Sequence, residues 1–370
     1  MAKVNVDWNN LGFAYQPISQ RYVANFKDGK WGEGHLTDDA NVTINECAGI
    51  LQYCQEVFEG LKAYKTKDGR VVTFRPDMNA KRMIDSAKRL EMPPVSEEMF
   101  LEAVDQVVAA NKDWIPPFES GGALYLRPYL FATGPVIGVK PSDEYQFRLF
   151  GTPVGSYFKN GVKPITICVS DYDRAAPHGT GNIKAGLNYA MSLYPYILAH
   201  QKGFDENMYL DAATRTYVEE TGGANFLFVT KDGKLVTPKS DSILPSITRR
   251  SLVTIAEHLG YTVEHRPVKF TELKEFAEAG LCGTAAVICP VGKVVGNGET
   301  IEFPSGMKEM GPVLTKLYNT LRGIRKARSS NTQVGSGLGR KDTHPDKVFT
   351  LTGSVLTSAS KRSSNASPSI

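Results

Sequence analysis

The chain has 370 residues, 41% hydrophobic and 22% charged, a composition and length that suit two globular α/β domains rather than one. Its formal charge of +4 is concentrated at the end: residues 325–370 hold eight Lys/Arg against two Asp/Glu, so the other 324 residues are net −2. A mildly acidic body argues against a nucleic-acid partner, and the absence of any 18-residue apolar run argues against a membrane span.

In chain order, the first eight residues lack an apolar stretch and carry an early acid, Asp7, so no secretory signal is expected. Tyr22–Phe26 reads as a strand running into Lys27-Asp28-Gly29-Lys30, a hairpin turn. A second hairpin joins Leu61–Tyr64 to Val71–Phe74 through Lys67-Asp68-Gly69-Arg70. A helix is predicted from Asp77 as N-cap to Leu90, with Met83, Ile84, Ala87 and Leu90 on one face. Another runs from Phe100 to Asn111, burying Leu101, Val104, Val107 and Val108. Strands follow at Leu124–Phe131 and Gln146–Val154.

The Gly/Pro-containing stretch after Val154 reads as an interdomain linker. The division expected is a small domain over 1–156, a linker over 157–162, a large domain over 163–325 and a disordered tail over 326–370. The second half opens with the strand Ile165–Val169. A Gly-rich loop then leads into a helix ending near Gly203, and strands follow at Asn207–Leu210 and Phe226–Thr230. The helix from Ser246 to Leu259 is the clearest, with the stripe Leu252, Ile255, Ala256, Leu259 and Gly260 just beyond it. The five cysteines (Cys47, Cys54, Cys168, Cys282, Cys289) are scattered, with no zinc-like or CxxC spacing. They read as reduced thiols of a cytoplasmic protein without a metal.

Several segments carry possible chemistry. In Gly179-Thr180-Gly181-Asn182-Ile183-Lys184-Ala185-Gly186, one lysine lies between small residues at a loop-to-helix junction. Burying a lysine favours its neutral, nucleophilic form, which can attack a carbonyl; a surface lysine in a loop is the plain alternative. Pro245-Ser246-Ile247-Thr248 starts an amphipathic helix and leaves the Ile247 and Thr248 amides for an anion, unless Ser246 merely caps it. Glu219-Glu220 precedes two glycines; one acid could be buried and charge-paired, or both could be solvated. Arg82 on the first helix and the small-residue turn Cys282-Gly283-Thr284-Ala285 are further candidates for holding an anion. Taken alone, these residues leave the reaction open.

Six stretches in order change that. Val57-Phe58-Glu59-Gly60-Leu61-Lys62-Ala63-Tyr64, Phe74-Arg75-Pro76-Asp77-Met78-Asn79, Tyr125-Leu126-Arg127-Pro128, Gly181-Asn182-Ile183-Lys184, Leu244-Pro245-Ser246-Ile247-Thr248-Arg249 and Gly283-Thr284-Ala285 together resemble the fold-type IV pyridoxal-phosphate enzymes, specifically the branched-chain amino-acid aminotransferases. The resemblance runs from about Phe13 to Arg322. It implies a two-domain α/β (α+β) architecture with pyridoxal 5′-phosphate in the cleft between the domains, a homodimer, and ping-pong transfer of an amino group from leucine, isoleucine or valine to 2-oxoglutarate.

Residue by residue, the resemblance implies that Lys184 is joined to the cofactor and moves the substrate proton. Glu220 would pair with the pyridine nitrogen and Tyr189 with the ring's phenolic oxygen. Arg82, the amides of Ile247 and Thr248, and the Thr284 hydroxyl would hold the phosphate. The substrate carboxylate would lie on Thr284-Ala285 with help from Tyr53. Phe58, Tyr125 and Tyr157 would wall an apolar pocket, and Arg127 would accept the second carboxylate of 2-oxoglutarate. Two features depart from the family. Some members carry a CxxC after the Thr-Ala turn, where this chain has Ala286 and only Cys289, so no redox switch is expected. Members also continue past the last helix with a short aromatic-containing segment, where this chain runs into basic, Ser-rich sequence. The rivals are a D-amino-acid aminotransferase or aminodeoxychorismate lyase on the same fold, and a non-catalytic protein binding a phosphate-bearing ligand. The first pair would lack the long segment before Phe58, and the second has no use for Lys184 and Glu220 together.

Overall fold

The computed structural model describes residues 6–8, 10–158, 161–326 and, as backbone, 349–351. The first sheet is built from β1 (Arg21–Lys27), β2 (Lys30–Trp31), β3 (His35–Thr37), β4 (Glu56–Phe58), β5 (Leu61–Lys65), β6 (Val71–Phe74), β7 (Ala123–Ala132) and β8 (Tyr145–Val154). Its strands pair antiparallel, with β5, β7, β8 and β1 side by side. Asp28 and Gly29 both have positive φ, 52° and 76°. They form the two-residue loop between Lys27 and Lys30, the backbone shape that an Asp-Gly pair favours.

The second sheet holds β9 (Ile165–Val169), β10 (Glu206–Met208), β11 (Asn225–Thr230), β12 (Leu235–Pro238), β13 (Val263–Arg266), β14 (Phe276–Gly283), β15 (Val287–Gly296) and β16 (Glu299–Glu302). It is mixed: β9 pairs in parallel with β10 and β15, and β12 with β13, while the other pairs are antiparallel. The chain changes sheets between Val154 and Ile165.

Seven α-helices, among the described residues, cover these sheets: α1 (Gly49–Tyr53), α2 (Pro76–Arg89), α3 (Glu97–Ala110), α4 (Gly186–Met191), α5 (Leu193–Gln201), α6 (Ile247–His258) and α7 (Pro312–Arg325). α2 begins earlier than predicted. Pro76 occupies the first turn, where its missing N–H costs nothing, so Asp77 lies inside the helix rather than capping it. The expected single helix up to Gly203 is broken at Ser192. Pro195 has no N–H to give the carbonyl four residues back, which interrupts the ladder there. α3 starts at Ser96, whose hydroxyl accepts from the Met99 N–H at 3.1 Å.

Met83, Ala87, Phe100, Val104, Val107 and Val108 of α2 and α3 pack onto Leu124, Leu126, Phe147 and Leu149 of the first sheet. In the second half, Leu252, Ile255 and Ala256 of α6 meet Leu314, Leu317 and Leu321 of α7 over Leu227 and Val229. Each such leucine contributes about 1.5–3 kcal/mol by leaving water. α7 is anchored by Glu278, whose buried carboxylate accepts from the Val313 and Leu314 N–H groups at 3.0 and 2.9 Å. A carboxylate at a helix start answers both the free amides and the helix dipole. We expect Glu278→Ala to destabilise the protein by about 1–3 kcal/mol; an unchanged urea midpoint would contradict this role.

The predicted tail lies outside the described residues, apart from its first residue, Lys326, and a short strand, β17 (Phe349–Leu351). That strand pairs in parallel with β6, so the disorder expected of the tail does not hold for those three residues. Within the predicted linker, residues 159 and 160 lie outside the described set. No helix among the described residues is long and apolar enough to cross a membrane. All five cysteines are free; burial pushes the Cys282 and Cys289 thiols up to about 12.

Candidate active site

Lys184 lies in the loop that enters α4, and its backbone is held from both sides. Its N–H donates to Ser86 Oγ of α2 at 3.0 Å, and its carbonyl accepts from the Phe58 N–H at 3.0 Å. Asn188, buried in α4, ties the loop down by donating to the Thr180 and Ile183 carbonyls at 2.7 and 3.0 Å, while Thr180 Oγ1 donates to Asn188 Oδ1 at 2.8 Å. The loop runs too close to the Ser242 carbonyl for any Cβ at Gly181. Here the small residues fix a close backbone approach. The Lys184 amine donates to Tyr189 Oη at 2.7 Å and lies 4.5 Å from the centroid of the Phe58 ring.

Glu220 is buried, and so is Glu219, whose carboxylate accepts from Ser240 Oγ at 2.7 Å; neither is a solvated loop acid. Glu220 accepts from the Leu244 N–H at 2.8 Å and from Asn225 Nδ2 at 2.5 Å, and it forms an ion pair with Arg174. Burial pushes its carboxyl up to about 6, against the opposing pull of Arg174, the Leu244 amide and Arg249. Arg174 also donates to the Gly181 and Ser242 carbonyls at 2.6 and 2.7 Å. One buried guanidinium therefore links the Glu220 carboxylate to the loop that carries Lys184.

At the start of α6, Ser246 Oγ accepts from the Arg249 N–H at 3.2 Å. The amides of Ile247 and Thr248, in the first turn, have no intrahelical acceptor and suit an anion. Capping and anion binding are thus compatible here: the cap uses a different amide. These two residues line a recess with Gly60, Asn79, Thr284 and Arg325, and Thr284 Oγ1 donates to the Gly60 carbonyl at 3.4 Å.

Arg82, expected on an anion, is engaged otherwise. Its Nε and Nη2 donate to the two oxygens of Glu59 at 2.7 and 2.8 Å, and its Nη1 donates to the Pro245 carbonyl at 3.2 Å. Glu59 is completely buried and needs a cation, which explains the difference. Burial works against the charge on Arg82, but Glu59, with help from Tyr189 and Glu220, holds it above its ordinary value.

Phe58, Tyr125 and Arg127 come together beside Lys184. The Arg127 guanidinium lies 4.8 Å from the Phe58 ring centroid, and its Nη2 donates to Tyr125 Oη at 3.1 Å. Tyr157 and Ala285 line an adjoining recess, where the Lys62 amine donates to the Ala285 carbonyl at 2.9 Å. Tyr53 is not brought to Ala285: it is exposed on α1 and its hydroxyl donates to the Ile137 carbonyl. Sequence reasoning missed Glu59, Lys62, Arg174, Asn188 and Asn225 as site residues. A usable signal existed for Glu59, an acid in the run Val57-Phe58-Glu59-Gly60-Leu61, where apolar neighbours foretell burial and hence a cationic partner.

A family model described as amino-transferase class IV matches residues 56–294. The chain belongs to the class IV aminotransferases. This aminotransferase is 51% identical over 327 residues to the branched-chain-amino-acid aminotransferase of Haemophilus influenzae, covering 87% of this chain and 95% of that one. It is 44% identical to the Helicobacter pylori enzyme of the same name, over 87% and 94%. Among solved structures, the Escherichia coli branched-chain amino acid aminotransferase superposes with a TM-score of 0.68 at 28% identity, covering 85% and 97%. The Thermobaculum terrenum enzyme in its pyridoxal-phosphate form gives 0.71 at 26%, covering 85% and 96%.

Proposed function

We propose that this aminotransferase is a branched-chain amino-acid transaminase that uses pyridoxal 5′-phosphate to move the amino group of leucine, isoleucine or valine onto 2-oxoglutarate. The observation that carries the reading is the Lys184 amine, 2.7 Å from Tyr189 Oη, with a buried carboxylate and a helix-start recess among the elements that hold it. The residues fit the cofactor. Lys184 is the nucleophile for its aldehyde, Tyr189 the donor to its phenolic oxygen and Glu220 the acceptor for its ring N–H. The Ile247 and Thr248 amides with the Thr284 hydroxyl hold its phosphate, and Arg82 backs that site through Pro245. When bound, pyridoxal phosphate supplies an electron sink for the pair left at Cα.

The protein's own work is then positional and protonic. With cofactor and substrate bound, Lys184 Nζ would take the Cα proton and then return it, acting first as base and then as acid. The Tyr189 hydroxyl, which accepts from Nζ at 2.7 Å, would hold that atom in place for the transfer. Phe58, Tyr125 and Tyr157 receive the branched side chain, and the Ala285 turn receives the carboxylate. Arg127, whose Nε is buried without a hydrogen-bond partner, offers a donor to the second carboxylate of 2-oxoglutarate. Two half-reactions share one site, giving ping-pong kinetics.

We further infer two domains, one on each sheet, and a homodimer. The dimer is supported by the exposed apolar side chains Met191, Leu193, Tyr194, Tyr196 and Ile197 of α4 and α5. The free thiols fit the cytoplasm. The test is glutamate formation from leucine and 2-oxoglutarate. Turnover with L-leucine, L-isoleucine and L-valine but not with D-alanine is expected; the reverse preference would move the protein to another class IV activity.

A further inference from the structure

We propose that Arg325, at the end of α7, is a direct phosphate ligand of the cofactor site. The proposal rests on the functional reading above and deepens it. The Arg82–Glu59 pair is a two-pronged, buried ion pair, so it brings little net charge to the recess. Arg82 keeps Nη1, on the Pro245 carbonyl, beside the helix start, but its positive charge is already balanced by Glu59. Arg325 has no such partner: among the described residues no carboxylate pairs with it.

Its geometry is that of a ligand. The side chain is 4% exposed, and its Nη2 donates to Thr248 Oγ1 at 2.8 Å, which lays the guanidinium against the first turn of α6. Nη1 is buried without a hydrogen-bond partner, and the guanidinium lies 5.2 Å from the Phe74 ring centroid. Arg325 shares one recess with Ile247, Thr248 and Thr284. The local charge balance agrees: burial, then the charges of Arg325 and Lys326, push the Lys62 amine down to about 7. The arrangement is rigid, because the leucines of α7 are packed against α6, so the helix that offers the amides also positions the arginine. A fork of N–H donors aimed at phosphate oxygens is the strong form of this contact.

The experiment titrates the full-length apo-protein with pyridoxal 5′-phosphate and, separately, with pyridoxal, reading the lysine-bound chromophore. Arg325→Gln is expected to weaken pyridoxal phosphate about 10- to 100-fold while leaving pyridoxal unchanged, and Arg325→Lys to recover most of the loss. Arg325→Met, which keeps an apolar stem on Phe74, serves if the glutamine variant fails to fold. An unchanged preference for the phosphorylated form in a folded variant overturns the proposal. If the wild-type protein forms no chromophore at all, the functional reading fails independently. Arg325 is then judged by the rise in melting temperature with inorganic phosphate: loss of that rise in Arg325→Gln supports the site, and equal rises overturn it.

Discussion

Lys184→Ala is expected to lose transamination by about four orders of magnitude while keeping its fold. The amine has two duties in the proposed mechanism: it carries the cofactor, and it moves the Cα proton. Removing it removes both, and no other amine is hydrogen-bonded to Tyr189 Oη among the described residues. Its structural cost is small, because the loop is held through the Lys184 backbone and Asn188 rather than through Nζ. Initial rates with leucine and 2-oxoglutarate measure the loss, and the melting temperature checks the fold. Lys184→Arg separates charge from nucleophilicity; it is expected to be as inactive as the alanine variant. Substantial turnover in either would remove Lys184 from the chemistry.

Glu220→Gln is expected to cost about 10²–10³-fold in turnover, the scale of removing one preorganised electrostatic contact. A neutral amide cannot keep a proton on the pyridine nitrogen, so the ring draws electrons less well. The same residue sets a pH signature. Burial raises its carboxyl to about 6 in the free protein, so cofactor retention should fall as the pH drops through about 6 and the carboxylate is protonated. The bound ring cation favours the ionised form and moves that limb to lower pH. The stability effect has the opposite sense. The unfolded chain releases this proton near pH 4.5 and the folded apo-protein only near 6, so this group's contribution to apo-protein stability declines as pH rises across that window. Both effects should be absent from Glu220→Gln. A wild-type acid limb that persists unchanged in the variant would assign it to another group.

The parts of the fold that were legible are those governed by local periodicity and turn chemistry. The Asp28-Gly29 loop, the buried stripe of α6 and the face of α3 depend on neighbours within one or two turns of chain, and these read directly. Lys184 and the α6 start were also visible, because loop-to-helix junctions carry recognisable small and capping residues. The charge partners were not. Arg174 lies 46 positions before Glu220, and Arg82 lies 23 after Glu59; neither spacing follows a helix or strand period. Arg325 was not singled out, for a different reason. It is the buried last residue of α7, and its helix face alone does not say that the guanidinium lies against the start of α6. Where the Tyr53 hydroxyl points was not legible either, because a residue on a short exposed helix has no local pattern that says so.

The most direct test of the central claim is the absorption spectrum of the purified protein supplied with pyridoxal phosphate, recorded before and after leucine and again after 2-oxoglutarate. The account predicts a band at the violet edge from lysine-bound cofactor, bleached by leucine and restored by 2-oxoglutarate. A protein that shows no band, or a band that leucine leaves untouched, would contradict it.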